Sequence, residues 1–303
     1  MNQENMRRLS AINSELQQSY RDGFGVNPAG ADSLPRREEV ISVTEKLLEL
    51  IFPGFDRAAG YPGTEVLLND TMRELSNQIS RAMQRVAGDK CKRCQDSCVS
   101  KCDNLAIGML TLLPKIRETM KQDVIAAYNG DPAAKSFDEI ILSYPGVKAI
   151  AIQRLAHELF KLEIPLIPRM MTEYAHSETG IDIHPGATLG TGVFIDHGTG
   201  VVIGETAIVG DNVRIYQGVT LGAGNFPKNA CGMLIKGLKR HPTVGNNVTI
   251  YSGASVLGDI TIGDDSVIGG NVWLTESLPA GTKITALPPE NRKKLRNLDG
   301  TAK

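Results

Sequence analysis

Five histidines are present, His157, His176, His184, His197 and His241, and two of them lie in contexts that suggest chemistry. His197 sits in Asp196-His197-Gly198-Thr199-Gly200, a turn-forming run where a purely structural imidazole would interrupt the packing pattern around it. Asp182 precedes it by fifteen residues, in Gly180-Ile181-Asp182-Ile183-His184-Pro185. A carboxylate beside an imidazole fixes its tautomer and stabilises the imidazolium, as a general base acting on a hydroxyl requires. The other context is Lys239-Arg240-His241-Pro242, where the planar fork of Arg240 suits a carboxylate. An acceptor with an amine, a carboxylate and a hydroxyl would call for acid, arginine and base respectively.

A separate group is Cys91, Cys94, Cys98 and Cys102, at spacings of three, four and four. On a helix these spacings place four sulfurs along one face. Such thiols could hold a metal or an iron–sulfur centre, or act as a redox switch. They could equally pack as small hydrophobes. The spacing matches no standard zinc or cluster signature, so both readings stand open and no obligatory metal is expected.

The elements that must position these residues change character near residue 180. Before it the apolar pattern is helical. Residues 36–52 place Val40, Ile41, Val43, Leu47, Leu48 and Ile51 near helical spacing, and Pro53-Gly54 stops the run. Helical patterning resumes over 64–88, 103–128 and 145–160, with Pro145 suited to a first turn and Asn129-Gly130-Asp131-Pro132 a strong breaker. After residue 180 the period is six: Ile183, Leu189, Ile195, Val201, Ala207, Val213 and Val219, then Val244, Ile250, Val256, Ile262, Ile268 and Leu274. Repeating hexads predict a solenoid with one short strand per hexad and three hexads per triangular coil. The two series are out of phase by one residue, so the segment between them must leave the coil. The expected fold is α+β: a flexible arm (1–35), an α-helical domain (36–180), a left-handed parallel β-helix (181–285) with a protruding loop (222–243), and a tail (286–303). Solenoids of this kind mostly belong to trimeric acyltransferases with active sites in the clefts between subunits, an analogy that leaves function to be argued from residues.

Composition narrows the partners. A net charge of -1 with 22% charged residues gives no reason to expect nucleic acid, and no segment reaches the apolar length of a membrane span. The N-terminus lacks the apolar stretch of a secretory signal, so the expected location is the cytoplasm.

Five motifs occur in order: Gly180-Ile181-Asp182-Ile183-His184-Pro185, Asp196-His197-Gly198-Thr199-Gly200, Gly204-Glu205-Thr206-Ala207, Gln217-Gly218-Val219-Thr220-Leu221-Gly222 and Arg240-His241-Pro242. Together with Asp131-Pro132-Ala133 upstream, they closely resemble serine O-acetyltransferases. The resemblance covers about 129–285. It implies acetyl-CoA as co-substrate and L-serine as acceptor. His197 would be the general base and Asp182 its orienting partner. Asp131 and Asp196 would bind the serine amino group, Arg240 its carboxylate, and His241 would complete the pocket. Backbone near Gly222, Ala223, Ser252 and Gly253 would line the CoA arm. No cysteine or serine has triad-like context, so direct attack in a ternary complex is expected. L-cysteine is the expected feedback inhibitor, and a homotrimer or a dimer of trimers the expected assembly. Many members end in an isoleucine that inserts into O-acetylserine sulfhydrylase. This chain ends Asn297-Leu298-Asp299-Gly300-Thr301-Ala302-Lys303, which argues against that complex. The competing readings are a hexapeptide acyltransferase for homoserine or a sugar, and a non-catalytic metal- or redox-responsive scaffold.

Overall fold

The computed structural model describes residues 2–21, 34–55, 63–87, 95–229 and 231–286. Its helices are α1 (Gln3–Tyr20), α2 (Arg37–Ile51), α3 (Thr64–Ala87), α4 (Gln95–Thr111), α5 (Leu113–Gly130), α6 (Phe137–Ser143), α7 (Pro145–Lys161) and α8 (Ile167–Thr179). Within the expected arm, α1 is a regular helix. The Asn2 side chain accepts from Asn5 N–H at its N-terminus, and none of its residues is buried. The pattern read as one helix over 103–128 is two, because Pro114 lies in the first turn of α5 and supplies no N–H to continue α4. The sequence reading also missed α8, which Gly180 ends in a left-handed cap.

Fourteen two- or three-residue strands then wind into three parallel sheets. The first sheet stacks β1 (Asp182–Ile183), β4 (Val202–Ile203), β7 (Thr220–Gly222), β10 (Ser255–Leu257) and β13 (Trp273–Leu274). The second stacks β2 (Thr188–Leu189), β5 (Ile208–Val209), β8 (Thr243–Val244) and β11 (Thr261–Ile262). The third stacks β3 (Phe194–Ile195), β6 (Arg214–Ile215), β9 (Thr249–Ile250), β12 (Val267–Ile268) and β14 (Lys283–Ile284). One aliphatic column fills the inside of each sheet; in the first it is Ile183, Ile203, Leu221, Val256 and Leu274.

This register corrects the expected columns. Asp182 pairs with Val202 and Phe194 with Arg214, so the first coil takes twenty residues, where β4 to β7 takes eighteen. The two extra residues lie in the corner 196–201. Beyond it Val201, Ala207, Val213 and Val219 are therefore inward turn residues, and Ile203, Val209, Ile215 and Leu221 are the inward residues of the strands. Both positions are apolar and buried in the hexads from Val201 to Leu221, so a shift of two residues leaves the period of six intact. Residues 223–242 leave the coil between β7 and β8.

The first coil creates a physical problem that the helices solve. Its N–H groups bond to the carbonyls of the next coil, as Asp182 to Val201 and Thr188 to Ala207, which leaves its own carbonyls without a coil beneath. Helix α7 lies under them. Gln153 Nε2 donates to Ala187 O at 2.7 Å, Arg154 to Leu189 O and Gly190 O at 3.2 and 2.6 Å, and His157 Nδ1 to Pro185 O at 2.8 Å. Arg154 is held by a two-pronged pair with Asp123 of α5, at 2.8 and 2.9 Å, and Asp123 also accepts Val193 N–H. Nearer the corner 196–201, Gly146 lets α7 press on the Ile195 carbonyl, where any Cβ would collide. The Asp123 side chain is fully buried and that of Arg154 is 9% exposed. Burial pushes the Asp123 carboxyl up, and Arg154 opposes that shift. Arg154→Met is expected to cost about 3–5 kcal/mol, because it strands a buried carboxylate as well as two carbonyls. A lower urea midpoint at unchanged slope would show it; a change under about 1 kcal/mol would contradict this role.

Candidate active site

The sequence-predicted residues gather at two corners of the triangular coil, on either edge of the first sheet. The corner between the third and first sheets carries Asp196 and His197. His197 takes a left-handed backbone, φ 58°, followed by Gly198 and Gly200 at φ 81° and 80°. For a residue with a Cβ this conformation costs roughly 1–2 kcal/mol, and it turns the imidazole outward with its side chain 70% exposed. His197 is therefore not a buried, satisfied imidazole. Its Nε2 lies 3.9 Å from Asp196 Oδ2.

Helix α5 delivers Asp131 to the same corner. Gly130 makes this possible, because a Cβ there would stand 2.6 Å from the Phe194 ring. Asp131 Oδ1 accepts the Ala133 N–H at 2.8 Å and Oδ2 accepts the Tyr144 hydroxyl at 2.5 Å. These two donors, Tyr144 foremost, hold the Asp131 carboxyl below the usual carboxylate range, with a smaller contribution from His197.

The corner between the first and second sheets carries the other group, His184, Glu205, Arg240 and His241. Thr206 organises it. Its Oγ1 accepts from the backbone N–H of Arg240 and His241 at 3.0 and 3.2 Å, and its own N–H donates to His241 Nδ1 at 3.1 Å. The His241 proton thus sits on Nε2. Arg240 Nη2 is 2.5 Å from Glu205 Oε2, which pulls the Glu205 carboxyl down. Lys239 Nζ donates to Thr206 O at 2.7 Å and to His241 O. Burial, with Arg240 and Lys239 nearby, pushes the His241 imidazole down to about 4. The ring lies over Gly204, which has no Cβ to obstruct it. His184 Nδ1 accepts Gly186 N–H at 3.0 Å and its ring meets Phe160 edge-on.

One expected pairing is not made in the single protomer. Among the described residues no hydrogen bond or ion pair joins Asp182 to His197 within the protomer. A twenty-residue coil sets Asp182 opposite Val202 and leaves His197 in the preceding corner, facing Asp196. Asp182 lies instead 3.6 Å from Arg169 Nη1. Ligand atoms of Asp182, Glu173 and His176 lie within 4.8 Å of one another, yet Arg169 pairs with both carboxylates and already supplies the cation. Of the cysteine group, Cys91 and Cys94 lie outside the described residues. Cys98 belongs to α4, and Cys102 is buried in the helical core beside Ala106 and Met109. Gly222 and Ala223 stand where β7 enters the long loop, and Ser252 and Gly253 in the corner before β10, so the two pairs bracket the first sheet. The sequence reading missed Tyr144 and gave no role to Glu205 or Thr206, although the motif Gly204-Glu205-Thr206-Ala207 marked the latter two. Among the described residues no helix is long and apolar enough to cross a membrane.

Comparison with known proteins places this geometry. A plasmid-encoded serine acetyltransferase of Synechococcus elongatus is 47% identical over 263 residues, covering 83% of this chain and 82% of that one. The chain belongs to the serine acetyltransferase family. Residues 241–276 match the model described as bacterial transferase hexapeptide (six repeats). Serine acetyltransferase isoform 3 of Entamoeba histolytica, solved in complex with cysteine, superposes with a TM-score of 0.67 at 37% identity over 85% of each chain. The Neisseria gonorrhoeae enzyme in complex with serine gives 0.54 at 27% identity, over 82% of this chain and 97% of that one. The fold is the left-handed parallel β-helix of this family behind a helical domain.

The His241 environment sets a pH test. Its folded value of about 4 lies below the ordinary imidazole value of 6.5, so the unfolded chain binds the extra proton first as pH falls. Its contribution therefore costs stability as pH drops from about 6.5 towards 4 and is absent above that window. In an NMR titration the His241 ring should stay flat above about pH 5. A midpoint near 6.5 would contradict the burial assigned to it.

Proposed function

We propose that this protein transfers the acetyl group of acetyl-CoA to the hydroxyl of L-serine, giving O-acetylserine and CoA. The observation that carries the reading is the outward-turned His197 flanked by Asp131 and Asp196. The two carboxylates hold the acceptor's ammonium group, and His197 takes the hydroxyl proton as the oxygen attacks the thioester carbonyl. The tetrahedral adduct collapses with cleavage of the C–S bond, and the imidazolium returns its proton to the departing thiolate. Arg240 receives the acceptor carboxylate with the N–H donors that Glu205 leaves available, assisted by the Nε2–H of His241. Asp182 stays paired with Arg169 in the protomer and is given no step, and no step passes through Cys91, Cys94, Cys98 or Cys102.

The two groups of side chains lie on different corners of one prism. They complete one site when the His197 corner of one protomer meets the Arg240 corner of the next, as a trimer around a shared axis allows. Gly222 and Ala223 from one edge and Ser252 and Gly253 from the other then line the same cleft, with the CoA arm between them. L-cysteine shares the amine and carboxylate of serine, and its presence in the Entamoeba relative supports competition at this site.

Thiol release from acetyl-CoA should require L-serine and should not occur with homoserine or amino sugars. It should fall about 10²–10⁴-fold in His197→Ala with fold and assembly unchanged. Release with another acceptor alone would move the substrate. Full turnover in His197→Ala would remove His197 as the base, and no release with any acceptor would leave a scaffold. Co-refolding His197→Ala with Arg240→Ala should restore part of the activity, since some clefts then pair two intact halves. No recovery in proven mixed oligomers would place both halves in one protomer.

A further inference from the structure

Tyr144 is not used by the reaction as described, yet its position is unusually constrained. Its backbone N–H ends α6 by donating to Ile140 O, and the same residue caps the N-terminus of α7. Pro145 follows at the first turn, and Gly146 seats that turn on the Ile195 carbonyl, one residue before Asp196. Helix α7 is itself locked under the first coil through Gln153 and Arg154. The phenol is thereby delivered to Asp131, thirteen residues earlier in the chain, at 2.5 Å.

We propose that Tyr144 is a positioning residue of the acceptor site: its hydroxyl locks the Asp131 carboxylate in the orientation that receives the acceptor's ammonium group. This role rests on the acceptor site assigned to the His197 corner. A carboxylate offers about four acceptor positions. The Ala133 N–H takes one on Oδ1 and the Tyr144 hydroxyl one on Oδ2, so rotation of the group is stopped at both oxygens. The free positions are left for a cation. The Tyr144–Asp131 bond and the 3.9 Å approach of His197 to Asp196 lie at the same corner, and Asp131 feels the charge of His197. The phenol ionisation is pushed up to about 12, chiefly by the bond to Asp131, so Tyr144 remains a donor throughout any working pH. Replacing it by phenylalanine keeps the ring and removes only that donor.

The test uses the full chain as wild type, Tyr144→Phe, Asp131→Asn and the double variant. It measures kcat and KM for L-serine, KM for acetyl-CoA, and inhibition by L-cysteine and by 3-mercaptopropionate, which keeps the thiol and carboxylate without the amine. Tyr144→Phe should raise the serine KM about tenfold, the scale of a hydrogen bond to a charged group, with kcat within about twofold and the acetyl-CoA KM unchanged. Cysteine inhibition should weaken by the same factor and 3-mercaptopropionate inhibition should not change. Asp131→Asn should also lower the preference for the amine, with Asp196 retaining part of it, and adding Tyr144→Phe to it should have no further effect. Equal weakening of both inhibitors, no weakening of either, or an undiminished Tyr144→Phe effect in the Asp131→Asn background would overturn the proposal. A wild type without serine-dependent turnover would overturn the acceptor reading itself. A serine-active wild type whose Tyr144→Phe form discriminates the amine equally well would remove Tyr144 alone.

Discussion

The open end of the solenoid is the constraint on which the rest depends. A parallel coil can hand its hydrogen bonds only to the next coil, so the first one must leave a row of carbonyls unpaired unless something else meets them. Helix α7 does so with Gln153, Arg154 and His157, and the buried Asp123–Arg154 pair ties that helix to α5. Replacing this pair by apolar side chains would remove a desolvation cost but abandon Leu189 O and Gly190 O. The polar join also fixes the register of α5 and α7 on the coil, and with it the places of Asp131 and Tyr144.

From that anchored end the chemistry follows a local interruption of the repeat. The two residues added at the corner 196–201 lengthen the first coil, and that corner takes left-handed backbone at His197, Gly198 and Gly200. Other corners take left-handed backbone at Asn212, Asn247 and Asp265, whose short side chains form a ladder that makes the conformation easier to bear. His197 has no such ladder, so its strain is retained where the side chain is needed.

The second corner is built by the opposite means, a long excursion between β7 and β8 that returns Arg240 and His241 to the coil. Thr206 receives the returning backbone and Glu205 the guanidinium. The two corners differ in electrostatic character: carboxylates gather around His197, while burial, aided by the nearby cations Arg240 and Lys239, keeps His241 neutral. An amino acid in its zwitterionic form presents an ammonium and a carboxylate at opposite ends. The separated corners match that polarity once two protomers face each other.

Much of this was legible in the residues. The hexad period determined the solenoid because inward aliphatic positions must recur whatever surrounds them. The motifs around His197 and Arg240 determined which family the chain resembles. Local pattern could not show the two-residue insertion, since a shift between two buried positions of the hexad preserves the period. It set Asp182 and His197 a little under one eighteen-residue coil apart, whereas the first coil takes twenty residues and Asp182 lies beside Arg169 in the protomer. Nor could it show Tyr144. A tyrosine before a proline reads as a helix boundary, and only the docking of α7 under the first coil carries its hydroxyl to Asp131. Sequence alone settled what repeats along the chain, because repetition is a local property of side-chain size and polarity. Tertiary structure settled which side chains meet, because those contacts are set by the packing of elements distant in sequence.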